Sequence, residues 1–167
     1  MATRPTSDRV REALFNILGP KPVGAQVLDL YAGTGALGIE ALSRGAEYAV
    51  FIDRSPQVLT VLRKNIAQCN LTAASRIIQW DITQNLNCLK AYAHTFDLVF
   101  LDPPYHKKLV AITLSHLLAN RCLSTESTVV VEHEAGATID VPGASLRMTD
   151  ARRYGQTALS FYSLAPS

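Results

Sequence analysis

Apolar residues along this chain follow two periods in turn, and the alternation predicts helices and strands one after another. Val10, Ala13, Leu14, Ile17 and Leu18 recur at the spacing of one helical face, with Thr6 or Ser7 as N-cap and Gly19-Pro20 as the stop. A short apolar run from Gln26 to Tyr31 ends at a glycine turn, as a buried parallel strand does, and a helix over about 36–43 follows. The alternation continues with a strand over 48–53, a helix over 56–70 behind Ser55 and Pro56, and a strand over 76–80. Residues 86–93 predict a weak helix, 96–101 a strongly apolar strand, 109–119 a helix and 128–132 a β-branched strand. The tail breaks the pattern. Residues 146–152 and 157–163 have no helix between them and predict an antiparallel hairpin turning near Tyr154-Gly155.

Strands separated by helices require right-handed crossovers, hence an α/β fold with a mostly parallel sheet and helices on both faces. Ligands of such sheets bind beyond the carboxyl ends of the strands. Glycine-rich or acidic residues stand at four of those ends here.

After the first strand, Asp29-Leu30-Tyr31-Ala32-Gly33-Thr34-Gly35-Ala36-Leu37-Gly38 makes a glycine turn into a helix start. Glycines admit backbone close to a ligand, and the helix start offers free N–H groups. Gly33-x-Gly35-x-x-Gly38 matches the dinucleotide fingerprint, but a bare βα turn gives the same letters. Asp29 shifts the reading, because a carboxylate there repels a pyrophosphate and attracts the cationic end of a sulfonium cofactor. Asp53 ends the second strand, where acids hold ribose hydroxyls, and Asp81 follows the third, within reach of an adenine amino group. Together they favour a positively charged adenosine ligand.

Asp102-Pro103-Pro104-Tyr105 follows the strand over 96–101 and is the most specific motif in the chain. Two prolines supply carbonyl acceptors without competing N–H donors. Asp102 would orient an amino group and help accept its proton, the Pro103 carbonyl would take the second N–H, and the Tyr105 ring would stack on an unstacked base. That chemistry is methylation of an exocyclic base amine. Carbon methylation of pyrimidines needs a nearby thiol, and Cys88 and Cys122 lie in or beside helical stretches instead.

Composition narrows the classes. With 167 residues, 48% hydrophobic and 18% charged, the chain is expected to form one domain over 1–167 and is not a disordered tail. A net charge of +2 does not announce a nucleic-acid binder, so any basic surface is local. Arg4, Arg9, Arg11, Lys107, Lys108, Arg152 and Arg153 are candidates for phosphate contact, each equally a solvated surface charge. Three scattered cysteines and dispersed histidines predict neither disulfides nor a metal site, and no signal or membrane-spanning segment is seen, so a cytoplasmic location is expected. His106, beside Tyr105, is a candidate for stacking or a phosphate bond and equally a plain loop residue; His133 receives no role, and Trp80 and Phe100 suit core or cofactor-wall positions.

The chain resembles the RsmD family of bacterial methyltransferases through the stretch from Arg4-Pro5-Thr6 to Asn16, the loop from Leu28 to Gly38, Glu40 to Ala46, Asp102 to Tyr105 and the closing Arg153-Tyr154-Gly155. The resemblance implies a Rossmann-like class I methyltransferase with a seven-stranded sheet whose last strand is reversed. It implies S-adenosylmethionine as cofactor, held by Asp29, Tyr31, Ala32, Gly33, Thr34, Gly35, Asp53, Arg54, Asp81 and Ile82. Asp102, Pro103, Pro104 and Tyr105 would carry catalysis. It further implies methyl transfer to the N2 amine of a guanine in 16S ribosomal RNA, within the small subunit or an assembly intermediate. A monomer is expected, since the sequence shows no long heptad and no obvious apolar stripe for a partner. A short basic hairpin that grips RNA phosphates precedes Arg4 in the family; only Met1-Ala2-Thr3 precede it here, so either the sequence is trimmed of that segment or this member lacks it. From the residues alone, an adenine-N6 or cytosine-N4 amino methylase, a non-catalytic cofactor or RNA-binding module and a nicotinamide-binding domain stay open, although Asp29 speaks against the last.

Overall fold

The computed structural model describes residues 7–92, 94–104 and 107–166. Helix α1 spans Asp8–Leu18; the Ser7 hydroxyl accepts a hydrogen bond from the Val10 amide at 3.2 Å, and the Gly19 amide closes the far end on the Phe15 carbonyl. Strand β1 (Gln26–Leu30) leads to α2 (Ala36–Ser43), then β2 (Tyr48–Asp53) and α3 (Pro56–Gln68). After α3 come β3 (Ser75–Gln79), β4 (Phe96–Leu101), α4 (Lys107–Ala119) and β5 (Leu123–Glu134). The hairpin β6 (Leu146–Tyr154) and β7 (Thr157–Leu164) completes the chain, as the absence of helical spacing there predicts.

The seven strands lie in the order β3-β2-β1-β4-β5-β7-β6. Pairings from β3 to β5 are parallel, whereas β7 runs antiparallel to both β5 and β6. Only β7 is therefore reversed. Strand order turns back between β1 and β4, which opens a crevice at their carboxyl ends.

The central strands are apolar on both sides because both sides are covered. On one side Val27, Phe51 and Phe100 pack against Leu14, Phe15 and Leu18 of α1, Leu37 and Ala41 of α2, and Leu59 and Leu62 of α3. On the other, Leu30, Ile52, Val99 and Leu101 meet Leu86, Val110, Leu114 and Leu117. Each such side chain removed from water contributes about 1.5–3 kcal/mol, which fixes the sheet and hence its carboxyl edge.

Three expectations change. Residues 87–91 form a single 3-10 segment in place of the helix expected over 86–93, because Asn85 turns the chain: its side chain accepts from the Asn87 amide and its carbonyl accepts from the Trp80 indole. Ala93 lies outside the described residues. Strand β5 starts at Leu123, earlier than its β-branched core, through a stretch where the Ser127 hydroxyl caps the Ser124 amide and the register against β4 shifts. Tyr31 is not a strand residue but turns left-handed, with φ 58°.

Candidate active site

The glycine loop begins at that turn. The Ala32 amide still bonds to the Ile52 carbonyl, so the loop leaves β1 tied to β2. The Tyr31 hydroxyl meets the Thr113 hydroxyl at 2.8 Å, and Thr113, fully buried in α4, donates to the Leu109 carbonyl. Burial raises the Tyr31 phenol above its ordinary range. A non-glycine residue in this conformation is held by such a contact, which joins the loop to the helix after Asp102-Pro103-Pro104. Replacing Tyr31 by phenylalanine is expected to cost about 1 kcal/mol, read as a lower denaturation midpoint with an unchanged m-value.

Gly35 and Gly38 are required by packing. Gly35 has φ +83° and would place a Cβ 2.3 Å from Leu62; one at Gly38 would lie 2.3 Å from the buried Phe51 ring and 3.1 Å from an Asp29 oxygen. Asp29 accepts the Gly38 amide at 3.0 Å, tying β1 to the first turn of α2. It is 3% exposed, and burial, reinforced by the charge of Asp53, pushes its carboxyl up to about 8 although the Gly38 bond opposes the rise.

Asp53 bridges the loop and the start of α3. One oxygen accepts the Gly33 amide at 3.1 Å and the other the Ser55 amide at 3.2 Å. Asn65 of α3 donates to the Thr34 carbonyl from the far side. Asp81 accepts both the Thr83 hydroxyl and amide through one oxygen, while Arg54 approaches the other at 3.7 Å. The Thr83 hydroxyl bond, with the Thr83 amide and Arg54 adding to it, holds that carboxyl below the usual range.

These groups surround a cavity of about 800 Å³. Asp29, Tyr31, Ala32, Gly33, Thr34, Asp53, Arg54, Asp81 and Ile82 line it, and so do Asp102, Pro103 and Pro104. Every cofactor residue expected from the sequence thus reaches the cavity except Gly35, which is buried against Leu62 and serves the loop's packing. Tyr105, His106 and Arg4 lie outside the described residues. Trp80 forms part of the wall, its indole fixed on Asn85, whereas Phe100 is core against Phe15.

Sequence reasoning missed a second wall. Glu132, His133 and Glu134 at the end of β5, Ala137 and Ile139 beyond it, and Gln156 in the hairpin turn face the same cavity. His133 bonds through its ring to the Ser160 hydroxyl and the Glu134 carbonyl. The Ala135 amide on the Gln156 carbonyl brings the hairpin turn to this edge. The change from Val131 to Glu132 at the end of an apolar run marked the position, but the turn reaches it only because β7 is reversed. Two of the basic candidates are committed locally: Arg11 pairs with Asp8 and Glu40, and Arg152 with Asp150. No group of side chains able to hold a metal ion occurs among the described residues.

A sheet in this order, with one reversed strand and a glycine loop at its switch point, has the class I methyltransferase fold. The solved structure of yhhF from Escherichia coli superposes with a TM-score of 0.83 at 35% identity, covering 97% of this chain and 88% of that one. The chain belongs to the RsmD family, whose model, described as "Conserved hypothetical protein 95", matches residues 1–163. It is 38% identical to the ribosomal RNA small subunit methyltransferase D of Escherichia coli K12 over 159 residues, 95% of this chain and 78% of that protein. It is 34% identical to YlbH of Bacillus subtilis strain 168 over 161 residues, 96% of this chain and 88% of that one.

Proposed function

We propose that this chain transfers a methyl group from S-adenosylmethionine to the exocyclic N2 amine of a guanine in small-subunit ribosomal RNA. One observation supports the chemistry above all: Asp102-Pro103-Pro104 and the three aspartates at the ends of β1, β2 and β3 face a single cavity. The substrate class comes from the relative named for small-subunit ribosomal RNA. On this reading residues 1–167 act as one domain, as a monomer in the bacterial cytoplasm; no helix among the described residues is long and apolar enough to cross a membrane.

The residues present fit the cofactor. Val58, Trp80 and Ile82 offer apolar surface for an adenine, Asp81 an acceptor for its amine and Asp53 acceptors for ribose hydroxyls. Asp29 supplies a carboxyl for the cationic end. When bound, S-adenosylmethionine supplies an electrophilic methyl group, its sulfur keeping the bonding pair as the new C–N bond forms. Asp102 accepts one N–H of the base amine and the Pro103 carbonyl the other, which draws the nitrogen lone pair out of the ring and aims it. The proton that the nitrogen then loses passes to Asp102 or, through it, to water. Alignment and electrostatic support do the rest.

Asp29 makes binding sensitive to pH. A carboxyl held near 8 is mostly protonated at neutral pH, and a cationic ligand favours its ionised form, so binding expels a proton below that value. Affinity for S-adenosylhomocysteine is expected to rise between about pH 6 and about pH 8, by up to roughly tenfold per unit, and then to level off. Calorimetry in buffers of different ionisation enthalpy measures the released proton, and Asp29→Asn should flatten the profile.

The substrate class is tested by offering labelled S-adenosylmethionine together with undermethylated small ribosomal subunits, naked ribosomal RNA or duplex DNA. Label in the small-subunit RNA is the expected result; label confined to DNA would overturn the ribosomal assignment.

A further inference from the structure

Resting on the proposed function, we infer that Glu132 is a specificity-determining residue that selects guanine by accepting its ring N1–H while Asp102 holds the neighbouring amine. Leu101 of β4 pairs in register with Val131 of β5, so Asp102 and Glu132 are the next residues on adjacent parallel chains. Neighbouring strands run about 4.8 Å apart, which sets the two residues on adjacent chains, and both line the wall of one cavity. Glu132 is 4% exposed and stands two residues beyond Val130, on the face of the sheet that carries Phe100 and Asp29. Its backbone is fixed within the sheet, where it pairs with Leu159 of β7. A side chain on a central strand is positioned more rigidly than one on a loop, as discrimination between bases requires.

The chemistry of the three base amines decides what such a residue selects. In guanine the N2 amine is flanked by N1–H, a donor. In adenine the N6 amine is flanked by N1, an acceptor, and in cytosine the N4 amine by N3, also an acceptor. A carboxylate only accepts. Beside the amine-binding Asp102, it completes a donor–donor edge and repels the lone pair that adenine or cytosine presents there. The Asp-Pro-Pro turn grips an amine and is indifferent to the ring; Glu132 supplies the choice of ring.

The test compares small subunits reconstituted with RNA that carries either guanine or 2-aminopurine at the target position. Both bases have the same amine, but 2-aminopurine presents a lone pair at N1. The wild-type chain is expected to favour guanine by about 100-fold in kcat/KM, the loss that follows when one buried acceptor is left without its N–H. Glu132→Gln, whose amide can donate to that lone pair, should narrow the preference to within roughly tenfold while the affinity for S-adenosylhomocysteine stays the same. Wild-type transfer to 2-aminopurine within a few-fold of guanine overturns the inference without recourse to any variant. An unchanged preference in Glu132→Gln overturns it equally, with guanine-N2 transfer itself left standing. Transfer by the wild-type chain to adenine and not to guanine would instead overturn the proposed function, and this inference with it.

Discussion

Asp102→Ala is expected to lower the rate of methyl transfer by about a thousandfold while S-adenosylhomocysteine binds almost as before. The separation follows from geometry. Asp29, Asp53 and Asp81 stand at the ends of β1, β2 and β3, whereas Asp102 follows β4 on the other side of the switch point. Removing its carboxylate takes away the group that orients the amine and receives its proton, and leaves the loop bonds Gly33–Asp53 and Gly38–Asp29 intact. Asp102→Asn keeps the volume and one acceptor but is a poor proton acceptor, so it should recover little of the rate. Single-turnover transfer alongside ligand binding by calorimetry separates the two effects. Equal loss of binding and transfer would mean that Asp102 holds the cofactor rather than the base.

Gly38→Ala is expected to be the most damaging single methyl group in the site. Its Cβ would sit 2.3 Å and 2.8 Å from two atoms of the Phe51 ring. Phe51 is fully buried between strands and helices, so the ring has no room to retreat. Overpacking of this kind costs about 3 kcal/mol, which for a chain of this size lowers Tm by roughly 6–12 °C. The methyl would also crowd the Asp29 oxygen that accepts the Gly38 amide, so cofactor affinity should fall together with stability. Thermal unfolding with and without S-adenosylhomocysteine reads both. A variant with wild-type Tm would show that α2 can shift away from the sheet, contrary to the packing described.

Much of this architecture was legible because burial on two faces leaves a plain record in sequence. Val27-Leu28-Asp29-Leu30 and Phe96-Asp97-Leu98-Val99-Phe100-Leu101 are apolar runs broken only by aspartates with structural bonds of their own: Asp29 takes the Gly38 amide and Asp97 the Gln26 amide. The glycine loop and the Asp-Pro-Pro turn were legible for a related reason, since few other residues meet their backbone demands. What stayed hidden depends on contacts between distant residues. The left-handed turn at Tyr31 is secured by Thr113, 82 residues away, and no local pattern announces it. The expected helix over 86–93 had suitable apolar residues, yet Asn85 spends its side chain and carbonyl on a tighter turn. Gln156 came to the site through the reversal of β7, a property of topology rather than of the residue, whereas His133 reached it as the penultimate residue of the parallel strand β5. Arg11 and Arg152, candidates for phosphate, are drawn to acids that spacing alone did not single out.

The most direct test of the account is to identify the nucleoside made when this chain and labelled S-adenosylmethionine act on undermethylated small ribosomal subunits. Digestion of the RNA and chromatography against standards should place the label in N2-methylguanosine. Label in N6-methyladenosine or N4-methylcytidine would contradict the account, because the cavity would then accept a ring with a lone pair beside its amine.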